Sequence, residues 1–312
     1  MANWSELHHD LLVEIAGRIK LYEDFVSFRW VCTSWRWAAA IKKFMYKFNQ
    51  MPLLMHMPLN CGDINQRGFF SLSRGMSRRI LLPEANSHRN CLSSKGWLLR
   101  LHRHSDYTVM VICGSERRLA YFKPGQETWI TVDTGNWYRF HDVIYHKGRF
   151  YAINWLGYIF VCDFTGPVPN NLIVVARMSI SLLMSSSMLY LVESGGALVV
   201  ITRSRTNKFQ VFEVDLTTNT WTKVKDLGNR ALFLGLNSCF SIEILDSSIC
   251  ERNCIYFTDC SQVEIQFTDK WKVNGKNMGI YDIRDDSIVP HFMGKSSSRI
   301  ALPMCVEQSY FF

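Results

Sequence analysis

Apolar positions in residues 4–44 recur at helical spacing. Leu11, Leu12, Ile15 and Ile19 lie along one side of an α-helix, while Glu14, Arg18 and Lys20 fall elsewhere. Leu21 and Phe25, then Phe28, Val31, Cys32 and Trp35, continue the apolar supply. A third run, Trp35 to Phe48, is rich in Ala and Lys and holds neither Pro nor Gly. The pattern predicts three short helices, with Asp10 as the expected cap of the first. Three helices of this size bury too little surface to be stable alone, so their apolar side chains need the rest of the chain or a partner. A helical cap on a larger domain and a docking module both meet that need.

The pattern then changes. Pro52 and Pro58 stand among Met51, Met55 and Met57, which argues against a continuous helix or a central strand and reads as a packed connector over 49–68. From Phe69 onward, short apolar runs alternate with turn residues: Phe69 to Leu72, Arg79 to Leu82, Gly96 to Leu101 and Tyr107 to Cys113 are each of strand length. Leu119 to Phe122, the turn Lys123-Pro124-Gly125-Gln126 and Thr128 to Val132 form a hairpin. It recurs as Phe209 to Asp215, Leu216-Thr217-Thr218-Asn219 and Thr220 to Val224. Both copies end in Thr-Trp-x-x-Val, with Trp221 lying 92 positions after Trp129. His141 to Asn154 around Lys147-Gly148, and Met188 to Thr202 around Gly195-Gly196, supply further hairpins. About 40–50 residues per propeller blade is usual, so the repeat corresponds to two blades. An irregular β-sandwich is the alternative, and it lacks the recurring Trp and turn spacing.

Two resemblances sharpen this picture. Trp4, Ser5, Glu6, Leu7, Asp10, Leu11, Leu12, Ile15, Ile19, Asp24, Phe25, Phe28, Arg29, Val31, Cys32, Trp35, Arg36 and Ala38 together resemble the F-box motif of plant proteins. The resemblance implies docking of a Skp-family adaptor and, through it, a cullin-based ubiquitin ligase. One departure is visible: His8 stands where the motif usually carries Pro. The segments Cys91 to Leu98, Asn253 to Asp259 and Gly279 to Ile283 resemble a plant-specific, kelch-like β-propeller domain that commonly follows an F-box. That family usually continues from Gly-Trp-Leu into an Asn-Pro turn and a Leu-Pro-Pro stretch. Here Arg100 to Cys113 runs almost directly onward, so an irregular or incompletely closed propeller is expected.

Composition is that of a folded chain: 312 residues, 48% hydrophobic, 20% charged and 13% aromatic. The formal net charge of +8 is uneven, because the span from Met51 to Arg118 holds ten Lys or Arg against four acids. Nucleic-acid binding through 67–118 is therefore an alternative function, although no nucleic-acid-binding motif accompanies the span. Met1 to Asp10 is polar and unlike a signal peptide, so the ten cysteines are expected as free thiols in a reducing interior. Cys250, Cys254 and Cys260 match no paired zinc spacing, and no metal or cofactor is expected. Leu172 to Val192 is apolar, but Arg177 and five serines interrupt it, which reads as two strands and a turn and not as a membrane span. No phosphate-binding glycine loop and no G-x-S-x-G elbow occurs, so no catalytic residue is assigned.

The fold class expected is α+β: a helical F-box over 1–48, the connector over 49–68 and a mainly antiparallel β-propeller over 69–312. The expected role is a non-catalytic substrate receptor of a ubiquitin ligase, in the nucleus or cytoplasm. Resemblance and periodicity together assign Leu7, Leu11, Leu12, Ile15, Ile19, Leu21, Phe25, Val31 and Trp35 to adaptor docking. Trp137, Tyr138 and Trp155 are candidate aromatics for an unidentified target, with core packing as their other reading. A purely structural adaptor is the remaining alternative.

Overall fold

The computed structural model describes residues 7–19, 22–40, 53–56, 66–71, 76–81, 93–94, 97–98, 108–123, 125–137, 139–162, 172–235, 239–244, 250–258, 279–289 and 304–306. Three helices come first: α1 (His9–Arg18), α2 (Tyr22–Arg29) and α3 (Thr33–Ala38). Leu12 and Ala16, one turn apart on α1, meet Phe25 and Phe28 of α2 and Ala38 and Ala39 at the end of α3 in a closed core. Trp35 packs on Phe28, with ring centroids 4.4 Å apart. The cap of α1 differs from expectation. His8 Nδ1 accepts a long hydrogen bond of 3.5 Å from the Asp10 N–H. Asp10 itself lies inside the first turn, where its charge faces the positive end of the helix dipole.

Among the described residues the remaining elements are strands with one short helix. They are β1 (Leu53–His56), β2 (Gln66–Ser71), β3 (Met76–Leu81), β4 (Ser93–Ser94), β5 (Trp97–Leu98), β6 (Val109–Cys113), β7 (Arg118–Phe122) and β8 (Ile130–Thr131). Next come β9 (Phe140–His146), β10 (Arg149–Asn154), β11 (Tyr158–Cys162), β12 (Leu172–Arg177) and α4 (Ile180–Met184). After α4 follow β13 (Met188–Ser194), β14 (Ala197–Arg203), β15 (Phe209–Asp215) and β16 (Thr220–Val224). The last are β17 (Arg230–Leu234), β18 (Cys239–Glu243), β19 (Cys254–Phe257), β20 (Gly279–Asp282), β21 (Ile288–Val289) and β22 (Met304–Val306). Among the described residues they form six sheets, ordered β22-β1-β2-β3, β4-β5, β6-β7-β8, β12-β11-β10-β9, β13-β14-β15-β16 and β18-β17-β19-β20-β21.

One expectation is corrected here. Leu53–His56 falls inside the presumed connector, yet β1 is an interior strand paired antiparallel to β2 and to β22. Pro52 and Pro58 lie beyond its ends, so neither removes a ladder hydrogen bond. The β1–β22 pairing also joins the two ends of the β-region in one sheet. Irregularity shows elsewhere, in the five-stranded sheet whose β17 and β19 run parallel.

The 92-residue repeat does span two sheets. Trp129 leads into β8 and Trp221 lies in β16, with the sheet β9 to β12 between them. Leu172 to Val192 forms β12 and most of β13, joined by the Ser-rich turn that carries α4. No described helix is long and apolar enough to cross a membrane.

Strand alternation explains the stacking of the sheets. On β13, Met188, Tyr190 and Val192 face one way and Leu189 and Leu191 the other; on β14, Val199 and Ile201 oppose Leu198 and Val200. The first set packs against Leu232, Leu234, Ile255 and Phe257 of the following sheet. The second packs against Ile153, Ile159, Val161 and Ala176 of the preceding one. The sheet β9 to β12 repeats the arrangement, because Ala152 and Phe160 turn away from that contact to meet Leu119 and Tyr121 of β7. These two sheets are thus apolar on both faces and covered on both by neighbours. Ile201 is fully buried in this stack, whereas Ile173 on the outer strand β12 is half exposed. Ile201→Ala is expected to cost about 2–5 kcal/mol in urea unfolding, and Ile173→Ala less than about 1 kcal/mol.

Candidate functional site

The helical residues assigned to docking divide by burial. Leu12 and Phe25 are enclosed by the helices themselves, so they support a surface and do not form one. Leu7, Ile19 and Trp35 are half-buried against that same core. Leu11 and Ile15 are 51% and 40% exposed, and Val31 is exposed as well. Leu21 lies outside the described residues. The division follows from helix geometry. Adjacent positions are offset by about 100°, so Leu11 and Ile15 form one row and Leu12 and Ala16 the next. The Leu12–Ala16 row is the one buried against α2 and α3.

Sequence reasoning missed two large side chains. Trp30 and Trp37 are both more than 70% exposed, and the Arg36 guanidinium lies over the Trp30 ring at 5.3 Å. The signal was available, since both flank assigned positions in a segment too short to enclose four aromatic rings.

The aromatics assigned to a target are equally divided. Trp137 is half-buried, packed on Tyr158 at 4.8 Å and Phe160 at 5.3 Å between ring centroids, so packing accounts for it. Tyr138 lies outside the described residues. Trp155 is exposed on the β10–β11 turn, with the Arg139 guanidinium 5.7 Å from its ring centre.

A polar cluster that sequence reasoning did not find lies where the edge strands β9, β13 and β18 run side by side. Asp142 pairs with Ile153 and Phe140 with Asn154, so His141 is the extra residue of a β-bulge. The bulge breaks the alternation of sides, and consecutive side chains reach the same neighbour. His141 Nδ1 accepts from the Leu189 N–H at 3.2 Å, and the Asp142 carboxylate accepts from the Leu191 N–H at 2.8 Å. Both donors lie on the edge of β13 that β14 leaves unpaired, so the two side chains satisfy a sheet edge. From the β6–β7 turn, Arg117 donates to the carbonyls of Phe140 at 2.7 Å and His141 at 3.0 Å. Ser194 and Ser241 join β13 to β18 through their hydroxyls, 3.0 Å apart.

The ionisation of this cluster follows from its surroundings. Burial, with the Arg117 charge adding to it, pulls His141 down to about 3, so the imidazole is neutral with its proton on Nε2. Asp142 is half-buried as a residue, but its carboxyl is packed away from water and is pushed up to about 6. Hydrogen bonds from the Leu191 and Val143 N–H groups and the Cys239 side chain, and the Arg117 charge, oppose that rise without cancelling it. Elsewhere, Glu251, Cys254 and Asp282 bring potential ligand atoms within 4.8 Å of one another. Asp282 already pairs with Arg284, and burial pushes the thiols of Cys250 and Cys254 up to about 12, which makes them poor metal ligands. These arrangements bind backbone and neighbouring side chains.

A helical unit ahead of stacked antiparallel sheets, joined into one sheet at their ends, defines a helix-bearing β-propeller. The chain belongs to the KIB1-4 beta-propeller family, whose description matches residues 100–282. It is similar to the putative F-box protein At1g65770 of Arabidopsis thaliana, with 25% identity over 85% of this chain and 91% of the relative. F-box protein At2g26160 of the same plant is 25% identical over 82% of this chain and 95% of its own length. F-box protein SKIP23, also from Arabidopsis thaliana, is 23% identical over 92% and 91%. Family and relatives together make the chain a plant F-box protein with a β-propeller.

The raised Asp142 sets a pH dependence. A carboxyl raised in the folded state adds stability that is complete below its ordinary value near 4 and is lost as pH rises through about 6. Thermal unfolding of wild type and Asp142→Asn across that window is expected to shift in favour of the variant as pH increases. A carboxyl carbon resonance titrating near 6 in the wild type, absent from the variant, checks the assignment.

Proposed function

We propose that the chain is the substrate-receptor subunit of a Skp-cullin-F-box ubiquitin ligase. The helices over 1–48 seat the Skp-family adaptor, and the β-propeller receives the protein to be modified. The bond-forming chemistry belongs to other subunits. One observation carries this reading: Leu12, Ala16, Phe25 and Phe28 close a core of their own, while Leu11, Ile15 and Val31 stay outside it. Large apolar side chains grouped on so small a unit mark an interaction surface. The docking set is accordingly narrowed to Leu11, Ile15 and Val31, with Leu7, Ile19 and Trp35 at its margin. Such a role places the chain in the nucleus or cytoplasm. Of the basic span 67–118, Arg117 is engaged with backbone carbonyls and Arg118 pairs with Glu116 at 3.4 Å, so no described contact favours nucleic-acid binding.

Leu11→Ala/Ile15→Ala is expected to lower recovery of a purified Skp-family adaptor about tenfold or more, with thermal unfolding little changed because both side chains are exposed. Equal recovery from variant and wild type rejects the surface. Reconstituted ubiquitin transfer to a co-purified protein then separates a receptor from a structural adaptor.

His8 gives a second test. Its φ is −59°, within the range proline imposes, so the backbone already has the conformation that the usual Pro would enforce. His8→Pro is expected to raise the unfolding midpoint slightly, through a gain of about 0.4–1 kcal/mol, and to leave adaptor recovery equal or better. A lowered midpoint refutes this account of the departure.

A further inference from the structure

The turn between α2 and α3 carries a guanidinium–aromatic stack. Trp30 and Val31 follow α2 directly, where the Trp30 N–H donates to the Ser27 carbonyl and the Val31 N–H to the Phe28 carbonyl, each at 3.2 Å. Arg36 stands one turn into α3, its N–H bonded to the Cys32 carbonyl at 3.0 Å. From there its guanidinium reaches back over Trp30, 5.3 Å from the ring centre. The stack bridges the turn, and backbone hydrogen bonds hold both of its ends.

The helical core does not use this stack. Leu12, Ala16, Phe25, Phe28, Ala38 and Ala39 close it without Trp30, which is 74% exposed, and without Val31 at 55%. Trp30 also lies outside the F-box-like positions, which pass from Arg29 to Val31 and on to Trp35 and Arg36, so it is an addition of this chain. The charge here is one-sided. Among the described residues the Arg36 side chain makes no ion pair and no hydrogen bond, and its one contact of this kind is the Trp30 ring. From Phe25 to Gly62 the chain holds five Lys or Arg and no acid. On α1, Glu14 pairs with Arg18 and Asp10 with His8, and Asp24 has interactions of its own. A guanidinium resting on a ring keeps its edge N–H groups in the fork that matches a carboxylate. Trp and Arg are also the side chains that most often dominate interface energies.

We infer that Trp30 and Arg36 form a subsite that takes an acidic segment of the Skp-family adaptor. A carboxylate of that segment pairs with Arg36, and an apolar side chain beside it lies on Trp30. Val31 belongs to the docking set, so a partner seated there meets Trp30 at the adjoining residue. This inference rests on the receptor reading and adds a selectivity to it. An adaptor without a carboxylate at this place binds through Leu11, Ile15 and Val31 alone, and more weakly.

The test measures binding of a purified Skp-family adaptor to the full chain by calorimetry at low and high salt. Trp30→Ala and Arg36→Gln are each expected to weaken binding about tenfold, with unfolding midpoints unchanged because both side chains lie outside the core. Wild-type affinity should fall as salt rises, and Arg36→Gln should flatten that fall. Arg36→Glu should weaken binding further, and a scan of the adaptor's Asp and Glu positions to Lys should find one that restores it. Wild-type affinity in Trp30→Ala, an unchanged salt slope in Arg36→Gln, or no restoring position overturns the inference. So does a dimer of the wild-type chain in sedimentation that Trp30→Ala dissolves, since a second copy then covers the stack. Weak binding by Leu11→Ala/Ile15→Ala beside full binding by Trp30→Ala removes the subsite and leaves the receptor reading standing. Absence of wild-type binding removes the receptor reading itself.

Discussion

The sheets β9 to β12 and β13 to β16 are apolar on both faces and cannot cover either by themselves. Val200 and Ile201 are neighbours on β14, yet they belong to different cores, one shared with the preceding sheet and one with the following sheet. Burial of a Val or Ile side chain contributes about 1.5–3 kcal/mol, so detaching a sheet from its neighbours would expose many such groups at once. Stability is therefore a property of the stack, with each interface depending on the next. Pairing of β1 with β22 ties the end sheet to both ends of the β-region and leaves no terminal sheet held from one side of the chain alone.

Stacking creates its own difficulty, because the edge strands β6, β9, β13 and β18 of successive sheets run side by side. Unpaired N–H groups there would be costly if left without acceptors. The bulge at His141 answers this by turning two consecutive side chains toward β13. A neutral imidazole and a carboxyl take the two N–H groups, while Arg117 serves the carbonyls at the start of β9. Groups that resemble catalytic equipment in composition are here committed to joining sheets. Their shifted ionisation follows from removal from water.

Exposed apolar side chains gather where that packing stops. The helical unit buries Leu12 and Phe25 and leaves Leu11 and Ile15 outside, and the β10–β11 turn buries Asn154 and leaves Trp155 outside. In both places a framework packed on its own core presents apolar side chains that it leaves in solvent. Binding surfaces on such supports lose little conformational freedom when a partner arrives.

Much of this was legible in the linear chain. The period of the apolar positions specified helices and then strands, and the Trp129 and Trp221 spacing marked sheets two apart, because local periodicity records which faces must be buried. Leu53–His56 was misread because prolines nearby suggested a connector, and only pairing with a strand some 250 residues away makes that short run part of a sheet. The choice between Leu11 and Leu12 was equally closed to sequence reading, since both are leucines on one apolar stripe. Sequence alone determined that the chain has a helical head and a repetitive β-body, through spacing that any residue carries locally. Which apolar side chains face a neighbour and which face water, and that His141 and Asp142 share a side, were decided by long-range packing and one extra residue in β9.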